Sequence, residues 1–92
     1  MPVYIYLMDD KNPLNKEVVD LHIAHLRHLD EEGRLIVCGP FADYAGGMVV
    51  LRALNKAKAN QIAMNDPFIA GGYKTFEVRT LELADASNNY LG

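Results

Sequence analysis

The first apolar run of the chain, Val3 to Met8, is made of β-branched, aromatic and long aliphatic side chains with no polar residue between them. Such a run reads as a strand covered on both faces, and therefore central in a sheet. The rest of a 92-residue chain must supply its neighbours and its cover. After a polar break at Asp9 to Pro13, the period turns helical from about Leu14 to Glu32. On a helical wheel Leu14, Val18, Val19, Leu21, Leu26 and Leu29 share one arc, and Lys16, Glu17, Asp20, Arg27, Asp30 and Glu31 share the other. Asn15 is placed to cap this helix, and Gly33 to stop it.

Leu35 to Phe41 reads as a second strand and Gly47 to Leu54 as a third, joined by a hairpin at Asp43-Tyr44-Ala45-Gly46-Gly47. Asn55 caps a second helix with a weak face of Ala59, Ile62 and Ala63. Pro67 disfavours helical geometry at Asp66, which ends that helix near Asn65. Phe68 to Gly72 is expected to be a loop pivoting on Gly71-Gly72, and Lys74 to Leu83 a fourth strand. In that strand Phe76 and Val78 share one face while Leu81 and Leu83 share the other. A bulge near Thr80, or a strand end whose opposite face meets a partner, would account for the change. Residues 84–92 are expected to form a loosely held tail of a single domain spanning 1–92, with Tyr90 and Leu91 available to dock.

The order β-α-β-β-α-β is that of an α+β, ferredoxin-like fold with an antiparallel four-stranded sheet. Right-handed crossovers put both helices on one face. The other face is left bare, and in so short a chain its expected cover is a second copy, giving a homodimer packed sheet to sheet.

Nine Lys and Arg stand against twelve Asp and Glu, and no segment is strongly basic, so a nucleic-acid partner has no electrostatic footprint. No apolar stretch approaches the ~20 residues of a membrane helix. No signal peptide is visible, and the one cysteine, Cys38, suits a reducing compartment; the expected location is cytoplasmic.

Three histidines, His22, His25 and His28, lie three residues apart on the first helix. On the wheel His22 falls near the middle of the apolar stripe, His25 within it and His28 at its edge. Two imidazoles therefore point toward the sheet, either as core histidines bonded to backbone or water, or as functional groups. A metal site would need further ligands, and no Cys/His cluster elsewhere supplies them; neither metal nor cofactor is expected. Asp66 stands out because a carboxylate at a helix C-terminus meets the negative end of the dipole. It is either a turn aspartate bonding its own backbone or a carboxylate that orients a histidine. Such a pair makes a general base. His25 lies roughly 10 Å along the axis before the end of its helix, so Asp66 must reach that level from the other helix. Cys38 is expected to be a buried, inert thiol, and Gly39 to allow close approach of a backbone or ligand. Gly46-Gly47 lacks the Lys and Ser/Thr of a phosphate loop.

Ala24-His25-Leu26, Leu29, Glu32-Gly33-Arg34-Leu35, Gly39-Pro40, Asp66-Pro67-Phe68 and Gly71-Gly72 follow one another in an order and spacing that resembles the YCII-related, or YciI-like, domains. The resemblance implies a dimeric α+β barrel similar to muconolactone isomerases, and a His–Asp dyad falling on His25 and Asp66. His22 stands where relatives often carry Arg, which leaves open what steadies an anionic substrate.

The expected function is proton transfer, as elimination or isomerisation, on a small, cyclic organic substrate. His25 and Asp66 would be catalytic, with His22, Tyr4, Tyr6, Gly39 and Pro40 lining the substrate site. The rival is a non-catalytic module binding a small ligand or assembling with a partner. A metal-binding dimer is a third reading.

Overall fold

The computed structural model describes residues 1–92. Strands β1 (Val3–Asp10), β2 (Leu35–Pro40), β3 (Gly46–Arg52) and β4 (Lys74–Leu81) form one sheet in the order β2-β3-β1-β4. All three pairings are antiparallel, and β1 is central as its unbroken apolar run requires. Helix α1 (Lys16–Glu31) joins β1 to β2, and α2 (Lys56–Met64) with the short α3 (Pro67–Ala70) joins β3 to β4. No helix is long and apolar enough to cross a membrane.

The caps stand where the sequence puts them. The Asn15 side chain accepts from the Val18 N–H at 2.9 Å, and Asn55 accepts from Lys58 N–H at 2.8 Å. Gly33 takes φ +73°, a left-handed conformation that favours glycine, and its N–H returns to Asp30.

Tyr4, Tyr6 and Met8 of β1 pair across to Leu51, Val49 and Gly47 of β3 and to Thr80, Val78 and Phe76 of β4. This face meets the helices. Its core holds Tyr4, Tyr6, Met8, Val49, Leu51 and Val78, packed with Val18 of α1, Ala59 and Ala63 of α2 and Phe68 of α3. By alternation Ile5, Leu7, Met48, Val50, Val37, Arg79 and Leu81 take the opposite face, which no helix covers.

Several local expectations change. The inward face of α1 is made of Val18, Val19, His22, His25, Leu26 and Leu29; of the expected inner arc only Leu14 and Leu21, 41% and 53% exposed, turn out to solvent. β4 carries no bulge: its register with β1 runs unbroken from Val3↔Leu81 to Asp10↔Lys74. Leu83 simply lies beyond the strand, and the one irregularity of the sheet falls in β2, between Leu35 and Val37. Phe68 is not in a loop but in the helical turn of α3. Residues 86–91 form an exposed pair of turns that kinks at Asn88 and continues with positive φ from Asn89 to Leu91, with Tyr90 and Leu91 outward.

Candidate active site at Asp66

Asp66 joins two helical segments. Its own N–H closes the end of α2 on the Ala63 carbonyl, and Pro67 occupies the first position of α3, where a missing N–H costs nothing. Proline also holds the preceding residue extended, and Asp66 has φ −63° and ψ 124°. Its carboxylate then folds over α3, where Oδ1 accepts from the Phe68 N–H at 3.0 Å. Asp66 therefore caps a helix N-terminus; the unfavourable dipole position expected from the sequence does not arise, because a new helical turn begins at once.

The same carboxylate is wholly buried and has two more partners. Tyr6 of β1 donates its hydroxyl to Oδ2 at 2.7 Å, and Nδ1 of His22 lies 2.8 Å from Oδ1. A carboxylate only accepts, so His22 Nδ1 carries the hydrogen, and in the neutral imidazole Nε2 is then the nitrogen with the free lone pair. The imidazole is further fixed by stacking on Phe68, with ring centroids 3.7 Å apart and planes 10° from parallel. Burial alone would push Asp66 up, but the hydrogen bond and charge of His22, then Tyr6 and the Phe68 N–H, hold it below the usual carboxylate range. Burial, followed by the charge of Asp66, raises Tyr6, which stays a neutral O–H donor.

His25 meets this network at Tyr6: its Nε2 lies 3.4 Å from the tyrosine oxygen. The single hydroxyl proton of Tyr6 goes to Asp66, so a hydrogen bond here has His25 donating. Asp66 stands level with His22, one helical turn from His25, because α3 packs beside the N-terminal half of α1. Burial lowers His25 most; Asp66 opposes this, and the neighbouring His22 and His28 add to it. His28 is exposed and lies 3.6 Å from Glu32.

Beside the network a cavity of about 380 Å³ opens between α1 and the β2–β3 side of the sheet. Leu14, Val19, Ile23 and Leu26 form one wall, and Met8, Cys38, Gly39, Pro40, Gly47, Met48 and Val49 the other. His22, Phe68 and Lys74 close its end. Of the residues expected at the site, His22, Gly39 and Pro40 line this cavity and His25 does not; Tyr4 and Tyr6 are core residues, Tyr6 joining the network through Asp66. Burial, then Asp30, raises Cys38 and keeps it a thiol. Gly47 lets the strands meet at the cavity floor, since a Cβ there would lie 2.8 Å from the Gly39 carbonyl oxygen. No group of three or more His, Cys, Asp or Glu side chains gathers as a metal would need.

Lys74 and Phe68 escaped the reading of the sequence. A signal for Lys74 was present: it shares the inward alternation of Phe76 and Val78, and it is buried, with Nζ 2.8 Å from Asp10 Oδ1.

Comparison with known proteins agrees with this architecture. Residues 1–82 match the family model of the YCII-related domain. The uncharacterized protein YjpA of Bacillus subtilis is 32% identical over 83 residues, covering 90% of this chain and 98% of that protein. Muconolactone isomerase shares the fold with a TM-score of 0.73 at 16% identity, over 91% of this chain and 92% of its own. So does 5-chloro-2-hydroxyhydroquinone dehydrochlorinase of Burkholderia phenoliruptrix, in complex with 2,5-dihydroxybenzoquinone, with a TM-score of 0.67 at 19% identity over 95% and 99% of the two chains. With its strand order, caps and Asp66 junction accounted for, the chain belongs to the family of YCII-related domains.

Proposed function

We propose that this chain is a small enzyme of proton transfer, working by elimination or isomerisation on a small cyclic substrate held in the cavity. The observation that carries this reading is the His22–Asp66 contact: 2.8 Å at Nδ1, with Nε2 left without a protein partner on a residue that lines an apolar cavity. Asp66 fixes the tautomer and stabilises the imidazolium that forms when Nε2 takes a proton. Nε2 removes a proton from a carbon next to a carbonyl, and the C–H electron pair moves onto the carbonyl oxygen. The imidazolium then returns the proton to another carbon, or the electrons expel a leaving group as its anion. The dehydrochlorinase and the isomerase named above are described by those two outcomes, and they share this chain's fold.

Family spacing assigns the histidine of the dyad to His25. In our reading His25 acts with Asp66 through Tyr6, as a positioning residue that holds the hydroxyl on the carboxylate, while His22 is the base. The catalytic unit is a homodimer packed through the uncovered sheet face.

The test is hydrogen exchange in D₂O, followed by NMR, of small cyclic ketones and unsaturated lactones. The wild-type chain is expected to speed exchange at the carbon beside the carbonyl, and H22Q to lose at least ~100-fold of that rate. Exchange at the solvent rate with every compound, or undiminished exchange in H22Q, would contradict the proposal. The second reading, a ligand-binding module, draws on the three protein donors already satisfied by Asp66, which give it a complete structural role. It expects binding in the cavity with no exchange.

A further inference from the structure

We propose that Lys74 is the anion-binding residue of the cavity, and that the ligand is a small apolar ring carrying one anionic oxygen group, a carboxylate or an enolate-type oxygen. Three observations point the same way. First, Lys74 is buried, with a side chain only 7% exposed, yet it lines the cavity. Burying an ammonium costs several kcal/mol unless it is compensated. Second, its compensation is partial. Asp10, its cross-strand neighbour in the β1–β4 register, offers Oδ1 at 2.8 Å but is itself half exposed to water. An ammonium has three N–H donors, and one carboxylate oxygen does not use them up.

Third, the remaining cavity wall is almost wholly apolar, so a charged ligand group has one cation to meet besides the His22 imidazole. Both also pack on Phe68: His22 stacks on its ring, and Lys74 Nζ lies 5.0 Å from the ring centroid. His22 and Lys74 line the same cavity, so one ligand bound there is offered both groups. The proposal rests on the proton-transfer reading for its chemistry. When His22 Nε2 takes the proton from carbon, the negative charge collects on the carbonyl oxygen, and Lys74 stabilises it there by charge without giving up a proton.

Binding tests this apart from turnover. Benzoate and its neutral analogue benzamide are titrated into the ¹⁵N-labelled full chain, and amide shifts are followed at Cys38, Gly39 and Gly47. Benzoate is expected to bind at least tenfold more tightly than benzamide. K74M should bring the two to parity, while K74R keeps the preference. Equal affinity in the wild-type chain, binding of neither probe at the cavity, or a preference that survives K74M would each overturn the assignment. The carboxylate probe selected by Lys74 in a chain that catalyses no exchange would leave this assignment standing and remove the proton-transfer reading. Exchange lost in H22Q with no anion preference would do the reverse.

Discussion

Asp66 shows how one side chain can serve a fold and a site together. It gives one oxygen to the Phe68 N–H and to His22 and the other to Tyr6, so α3, α1 and β1 all converge on it. Asp66→Asn keeps the shape but loses the charge and must turn an N–H₂ toward a donor. It should cost about 2–3 kcal/mol at neutral pH, measured by denaturant unfolding. The pH dependence has a definite sign. A carboxyl held lower in the folded chain than in the unfolded one stabilises above the unfolded value of ~3.9, and that stability drains away as pH falls through the folded value. The gap between wild type and D66N should therefore be full at neutral pH and shrink on the acid side. At this scale the sequence was legible as to residue type and not as to pairing. His22 and His25 lie on the same inward line of α1, and only the height at which α3 meets that helix decides which imidazole touches the carboxylate.

The elements were the most legible level, because their ends carry local chemistry that needs no tertiary context. Asn15, Asn55 and Gly33 each do at the helix ends what their side chains, or the lack of one, allow. Asn15→Ala should cost about 1 kcal/mol through the lost cap, and Gly33→Ala a similar amount through its positive φ, both read as shifts in unfolding midpoint at unchanged slope. What stayed hidden was the turn at Pro67. Asp-Pro was read as the end of one helix, whereas proline at a first helical position also starts the next. Four residues of α3 are too few to show a period, so Phe68 and the N–H that Asp66 caps could not be seen in the pattern.

At the scale of the molecule, the sheet has one face under the helices and one without cover, and Ile5, Leu7, Met48 and Val50 give the second face an apolar centre. The element order alone announced that imbalance, though the cavity did not announce itself, since its walls come from α1 and all three of β1, β2 and β3. Val37 lies on the open face and is 51% exposed in the single chain, so Val37→Lys should leave folding nearly unchanged. If the open face is the dimer interface, that variant elutes as a monomer in size-exclusion chromatography with light scattering while the wild type elutes as a dimer; a variant that stays dimeric places the interface elsewhere. The proposed proton transfer turns on the ring that joins the cavity to Asp66. Its tautomer can be read without a substrate, by long-range ¹H–¹⁵N correlation on the His22 imidazole in its neutral form. The expected spectrum has the proton on Nδ1 and a bare Nε2, a state that D66N perturbs. A neutral His22 protonated at Nε2 would contradict the base at the centre of this site.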